Sequence, residues 1–484
     1  MTFNSFEFLI FYPLVLALYF LLPHKFRWQM LLLASYYFYA FYQYELLFLI
    51  IGTTLVSWLM SKLIERTESK TKRKLALAFT LLVCLGVLAL YKYLDFIIGS
   101  IGGIISLFGG EPSFTSLSLV LPVGISFYTF QTLSYVIDVY RGKIKTEPNF
   151  FFYALYVSFF PQLVAGPIER PENLIPQLKE EHNWKKESAL FGAKRMMLGF
   201  FKKIAVADLV SAYVDGIYNF PEGADALGII LATLLFAVQI YCDFSGYTDI
   251  AIGCAEIMGI KLMKNFDRPY SAKTVKEFWS RWHISLSSWF KDYLYIPLGG
   301  NRCKKWRYVL NIMIVFAVSG LWHGAKWTFV IWGLLHGAYQ VIGNLTIKKR
   351  NAVISKLGAD PGSTLISAIR RINTFILVCF AWIFFRANSI SDIGIILERL
   401  FSGFSAPSES LSHMGLSLSG GIICLLAIGI MLILDRIVDY ENECPCSEAM
   451  VKDGGFVYIL WTIILAWIFL FSKDMLSSFI YFQF

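Results

Sequence analysis

Long apolar runs, many of them near the roughly 20 residues needed to cross a hydrocarbon layer as a helix, return along almost the whole chain. They fall at 6–23, 29–42, 46–61, 75–93, 116–138, 150–165, 188–214, 225–260, 308–322, 326–346, 365–386, 417–437 and 455–472. Most show no 3.6-residue rhythm with a wet face, so they read as membrane spans rather than as amphipathic helices around a soluble core. Composition agrees: 57% of the 484 residues are hydrophobic and only 16% are charged, against about 25% charged in soluble domains. The expected fold class is an all-α polytopic integral membrane protein, with the lipid bilayer as its solvent. About ten to twelve transmembrane helices are expected, with the shorter blocks at 96–108 and 389–403 lying in the interface or re-entering. No Lys or Arg precedes the first block and no small-residue cleavage site ends it, so it is read as a retained helix.

The net charge of +9 is not a nucleic-acid signature, because the basic residues sit in short segments between apolar blocks. His24–Arg27, the stretch from Lys62 to Lys74, and Arg141, Lys143 and Lys145 would all be cytoplasmic if the N-terminus lies outside. Of the eight Cys, six lie in or near apolar segments and read as packing residues. Cys444 and Cys446 form a C-x-C whose spacing is wrong for a zinc knuckle.

The middle of the chain is different. Pro, Gly and charge interrupt it, as in Phe160-Pro-Gln-Leu-Val-Ala-Gly-Pro-Ile-Glu-Arg170 and Gln239-Ile-Tyr-Cys-Asp-Phe-Ser-Gly-Tyr-Thr-Asp249. Irregular backbone at membrane depth survives only where protein or a water-filled cavity surrounds it. The expected organisation is therefore N-terminal transmembrane helices over 1–145, a cavity-forming core over 146–346, and C-terminal helices over 347–484, together one membrane domain. The polar segment 347–364 is expected to be the loop after the core.

Six His are present, and His283, His323 and His336 lie in or between apolar blocks. Ionisable side chains there are costly and mark functional sites. His323, in Leu321-Trp-His-Gly, is followed by Gly324, which leaves room for a substrate to approach. A buried neutral imidazole suits a general base, although a helix-end His bonded to a carbonyl fits equally well. Thr274 and Glu277 fit a capping box. A helix starting there would place Trp279, His283, Leu286 and Phe290 on one face and Arg281, Ser285, Ser288 and Asp292 on the other. His336 reads as packing with a polar tip. Asp243, Asp249 and Glu256, inside an apolar block, are expected to pair with cations or line a cavity. There is no H-E-x-x-H, G-x-S-x-G or Walker A motif, and no metal site or bound cofactor is expected.

Several segments together resemble a known family. They are Phe3-Asn-Ser-Phe-Glu-Phe-Leu, Leu121-Pro-Val-Gly-Ile-Ser-Phe-Tyr-Thr-Phe-Gln, Pro161–Arg170, Asp243-Phe-Ser-Gly-Tyr-Thr-Asp249, Phe278-Trp-Ser-Arg-Trp-His-Ile-Ser-Leu-Ser-Ser-Trp, Leu321-Trp-His-Gly and Ala381-Trp-Ile-Phe-Phe-Arg-Ala387. The chain resembles the membrane-bound O-acyltransferases, and within them the bacterial branch that acetylates alginate. The resemblance implies helices around a thinned centre, with His323 as the principal catalytic residue and His283 as the second. It implies acetyl transfer from a cytoplasmic thioester, acetyl-CoA, to an extracytoplasmic exopolysaccharide through a partner O-acetyltransferase, in a bacterial inner membrane. Trp279, Arg281, Trp322, Lys291 and Asp243 are the candidate substrate-binding residues. D-alanyl transfer to teichoic acid, peptidoglycan O-acetylation, and a non-enzymatic transporter of polysaccharide or lipid precursor are the rival readings.

Overall fold

The computed structural model describes residues 1–41, 43–111, 117, 119–401, 403, 404, 406–437, 461–468 and 479. Among these, every regular element is helical. Five stretches are long and apolar enough to cross a membrane: Tyr44–Arg66, Lys70–Leu107, Ala226–Ile257, Thr364–Arg386 and Leu418–Asp435. Phe6–Leu21 is apolar but shorter. The protein is a multi-pass membrane protein. Cys444 and Cys446 lie outside the described residues, as does the 455–472 block apart from the helical stretch 461–468.

The chain divides into two units. The first comprises Met1–Met196 with Thr248–Met263, and the second Met197–Tyr247 with Lys264–Phe484. The first unit contains α1 (Phe6–Leu21), α2 (His24–Ala40), α3 (Leu47–Arg66), α4 (Lys70–Leu88), α5 (Leu94–Leu107), α6 (Ile125–Tyr140), α7 (Phe150–Ser158), α8 (Phe160–Leu163), α9 (Pro171–Lys179) and most of α10 (Lys186–Phe200). Its polarity is inverted relative to a soluble protein. On α3 the small hydroxyls Thr53, Thr54, Ser57 and Ser61 are buried while Leu55, Leu59 and Leu63 are exposed. Lipid solvates the leucines, and the hydroxyls allow close helix contact. Ser57 Oγ bonds the Tyr153 hydroxyl of α7 at 2.8 Å.

A π turn at Ala89–Tyr93 joins α4 to α5, giving one helical stretch of 38 residues. The 96–108 block therefore continues the preceding helix rather than standing as a separate element. The interruption expected in the stretch Phe160–Arg170 does occur, and it begins inside the 150–165 block, where α7 ends at Ser158 and α8 covers only Phe160–Leu163. Its freed backbone is bonded by side chains: Gln131 Nε2 donates to Tyr156 O at 2.7 Å, Gln162 Nε2 to the same oxygen at 3.0 Å, and Phe160 N to Ser35 Oγ at 3.1 Å. These bonds make a broken helix tolerable away from water.

The second unit contains α11 (Asp208–Tyr218), the first part of α12 (Ala226–Ile257), α13 (Val275–Arg281), α14 (Ile284–Phe290), α15 (Lys305–His323), α16 (Trp327–Lys356), α17 (Thr364–Arg386), α18 (Ile390–Phe401), α19 (Pro407–His413) and α20 (Leu418–Ile437). A π-helical stretch, Phe201–Ala207, precedes α11 and buries Lys202 and Lys203. Two of the three acids singled out on α12 pair with cations. Asp243 accepts from Lys203 Nζ at 2.7 Å within this unit. Asp249 pairs with Arg195 at 3.3 Å within the first.

The loop expected over 347–364 is mostly helix. α16 runs on through Lys348, Lys349 and Arg350 to Lys356, because lysine and arginine are good helix formers when their heads are solvated. Gly358, at φ +79°, then stops it. Ala359 N donates to Ile354 O and Gly358 N to Ser355 O, the paired bonds of a left-handed glycine terminus.

Candidate functional site

Two glycines bring α15 and α16 into close contact. A Cβ on Gly320 would sit 2.2 Å from Phe329 O, and one on Gly333 would sit 2.2 Å from Phe316 O. Only glycine allows backbones this near. The hairpin places His323, the last residue of α15, beside Trp332 of α16, with ring centroids 5.0 Å apart. Gly324 does not open a path for substrate as the sequence suggested. A Cβ there would meet the Phe329 ring at 2.2 Å, so an aromatic side chain fills that space.

The second histidine comes from a helix break. Thr274 caps α13 as expected, its Oγ1 accepting from Glu277 N at 3.1 Å. Glu277 Oε2 accepts from Lys273 N. The helix does not run on to Phe290, however. It ends at Arg281, and His283 takes a left-handed conformation, φ +45° and ψ +55°, before α14 begins. The single face carrying Trp279, His283, Leu286 and Phe290 therefore does not exist, and Ser285, assigned to the opposite face, is fully buried.

Asn265 explains the break. Its backbone carbonyl accepts from Ile284 N at 2.9 Å. Its Oδ1 accepts from Ser285 N at 3.3 Å and from Ser285 Oγ at 3.0 Å. With Oδ1 fixed as an acceptor, His283 Nδ1, 3.0 Å away, is the donor. A neutral ring then carries its lone pair on Nε2. Burial lowers the pKa of His283 to about 3, so the neutral form persists throughout the physiological range.

His283 and His323 approach with ring centroids 6.4 Å apart. Phe244 meets His283 edge-on at 4.7 Å, and Trp322 does so at 5.6 Å. His323 is bounded by Trp322 at 5.0 Å, Trp332 at 5.0 Å and Phe385 at 5.5 Å. Both histidines are buried. Two imidazoles in an aromatic, water-poor setting form an arrangement suited to moving a proton on and off a reacting oxygen or sulfur.

Of the other residues singled out from sequence, Trp322 lies against both histidines. Trp279 instead donates from Nε1 to His336 Nδ1 at 3.2 Å. Arg281 is half-buried and pairs with Glu277 at 2.9 Å. Lys291 is exposed at the start of a π turn, Lys291–Tyr295. Asp243 is held by Lys203. Sequence reasoning missed Asn265, whose only signal was an Asn in a polar connection, and the buried Lys202 and Lys203, hidden inside an apolar block. Among the described residues no three His, Cys, Asp or Glu side chains group in a way that holds a metal ion.

Residues 141–354 match the family of membrane-bound O-acyltransferases. The chain is 35% identical to a probable alginate O-acetylase of Pseudomonas putida, over the full length of both proteins. This chain belongs to the membrane-bound O-acyltransferase family. The acyltransferase is also 38% identical to a probable alginate O-acetylase of Pseudomonas aeruginosa, over 83% of this chain and 75% of that one. A peptidoglycan O-acetyltransferase of Helicobacter pylori is 33% identical over 76% of this chain and 73% of its own. The family match covers α15, His283 and His323. The acyltransferase is thus an enzyme whose two candidate histidines lie in the region that defines the family.

Proposed function

We propose that this acyltransferase takes an acetyl group from a cytoplasmic thioester, acetyl-CoA, and passes it across a bacterial inner membrane for O-acetylation of an extracytoplasmic polysaccharide such as alginate. The 6.4 Å approach of His283 and His323 in a buried aromatic setting carries the reading. His323 acts as general base. It takes the proton of the attacking hydroxyl as the oxygen bonds to the thioester carbonyl carbon, and the carbonyl electron pair moves onto its oxygen. When that pair returns, the C–S bond breaks and the thiolate receives the proton from His323. The products are an oxygen ester and the free thiol. His283, its ring fixed by Asn265, packs beside His323 and bounds the space in which the hydroxyl reacts. Trp322, in contact with both rings, helps enclose the reacting group. A partner O-acetyltransferase outside the membrane completes delivery to the polymer.

The relatives above, named as alginate and peptidoglycan acetylating proteins, are 33–38% identical to this chain, and teichoic acid D-alanyltransferases are 29% identical, which supports acetyl as the cargo over D-alanyl. The test is transfer of labelled acetyl from acetyl-CoA in membranes carrying the chain, wild type against His323→Ala at matched protein level. Loss of a wild-type signal in the variant is expected. A variant that matches wild type removes His323 from the chemistry. A signal obtained only with a D-alanyl carrier thioester replaces the donor.

A further inference from the structure

Among the described residues, α16 carries three buried polar atoms without a hydrogen-bond partner: Thr328 Oγ1, Trp332 Nε1 and His336 Nε2. Their spacing is i, i+4 and i+8, so they line one face over three successive turns. All three residues are at least 98% buried. Leaving such a group unpaired in a protein interior is costly, and here three fall in one row on one helix. Trp332, in the middle of the stripe, contacts the rings of both His323 and His336, at 5.0 Å and 5.1 Å.

The tautomer of His336 is determined. Indole Nε1 of Trp279 can only donate, and it points to His336 Nδ1 at 3.2 Å. Nδ1 therefore holds the lone pair, and the proton of the neutral ring sits on Nε2. This is the opposite of His283, whose proton is on Nδ1. One ring presents a lone pair and the other an N–H. Phe278 stacks on the His336 ring with planes 7° apart, and Phe316 stacks at 18°, which fixes the direction of that N–H.

We propose that His336 Nε2–H and Trp332 Nε1–H form a two-donor site for the carbonyl oxygen of the transferred acyl group. The proposal rests on the acyl-transfer reading above. As the acceptor oxygen bonds to the carbonyl carbon, the electron pair displaced onto the carbonyl oxygen is met by two N–H dipoles already in place. No proton leaves either ring, and the dipoles stabilise the same oxygen until the C–S bond breaks. Donors held rigidly in a dry site favour the charged intermediate over the uncharged thioester, so their effect falls on kcat.

Two near-isosteric substitutions separate the functions of this ring. His336→Asn keeps an acceptor where Nδ1 meets Trp279 and removes the N–H at Nε2. His336→Gln places an amide N–H at the Nε2 position and gives up the bond to Trp279. Initial rates of labelled acetyl transfer from acetyl-CoA are measured in membranes, with thermal unfolding of each purified variant alongside. His336→Asn is expected to lower kcat about 100-fold, with KM for acetyl-CoA within about threefold and unfolding close to wild type. His336→Gln is expected to recover at least about a tenth of wild-type kcat. Trp332→Phe, which keeps the ring and loses the N–H, is expected to lower kcat about tenfold. Wild-type transfer that survives His336→Asn overturns the two-donor site and leaves the acyl-transfer reading standing. Equal losses in both His336 variants with matching drops in unfolding temperature make the ring structural, and also overturn it. A wild type unable to transfer from acetyl-CoA or from a D-alanyl carrier removes the functional reading and this site with it.

Discussion

The imidazoles of His283 and His323 meet with centroids 6.4 Å apart, although one sits in a break between two short helices and the other closes a 19-residue helix. Neither position is explained by its own helix. His283 is held by Asn265, and His323 by the glycine contacts that press α15 against α16. The placement of the pair therefore depends on residues outside it.

Asn265 is the first of these. Replacing it with Ala removes the side-chain acceptor that fixes the tautomer of His283 and bonds Ser285, while the backbone carbonyl that accepts from Ile284 N stays. The expected result is a fall in kcat of about 10–100-fold, by analogy with the loss of an orienting partner of a metal-bound histidine, with little change in KM for acetyl-CoA. Asn265→Ala on top of His283→Ala should add almost nothing, because residues acting as one unit are not additive. Initial rates for the two single variants and the double variant check this; additive losses would separate the two residues.

The buried state of His283 has a pH signature. Its pKa falls from 6.5 to about 3 on burial, so the folded protein holds the ring neutral while the unfolded chain protonates it. The contribution to stability is complete above about 6.5 and is lost progressively as pH falls towards about 3. Unfolding temperatures at pH 7.5 and pH 5 should diverge in the wild type and diverge less in His283→Gln. The transfer rate should show no inflection from His283 between pH 5 and 8, which a pH–rate profile of wild-type membranes would reveal.

Close packing of α15 on α16 predicts severe loss on enlarging Gly320 or Gly333. Gly320→Val drives a side chain into Phe329 O, and overpacking of this kind costs about 1–3 kcal/mol or more. Folded yield in detergent and transfer rate should fall together. Gly324→Ala is expected to be milder, since the atoms it meets belong to the Phe329 ring and a side chain moves more readily than backbone. Equal yields of Gly320→Val and wild type would contradict the close contact.

Asp243 separates structure from binding. It was a candidate substrate contact, yet Lys203 Nζ lies 2.7 Å from its carboxylate and 2.8 Å from Asp208. Breaking a buried ion pair on one side costs about 3–5 kcal/mol. Lys203→Met should lower the unfolding temperature sharply, and Asp243→Asn should do so to a lesser degree while leaving KM for acetyl-CoA near wild type. A rise in KM at unchanged stability would return Asp243 to the substrate.

What the sequence determined alone is what composition and short-range pattern determine. Runs such as 46–61 and 365–386 have no low-energy alternative to membrane-embedded helices, because every backbone group must bond within its own segment in lipid. The cap at Thr274, the broken backbone after Phe150 and the family motifs around His283 and His323 were legible for the same local reason. Other features depended on residues distant in sequence. The left-handed break at His283 needs Asn265, and a periodic pattern across 274–290 cannot register a hydrogen bond from outside it. Lys202 and Lys203 look like breaks in an apolar run until α12 and α20 bring Asp243 and Asp435 to them. The proton on His336 Nε2 follows only from Trp279, 57 residues earlier in the chain. Tertiary structure decided these points because the direction of a hydrogen bond and the pairing of a buried charge belong to two partners at once, and the sequence shows them one at a time.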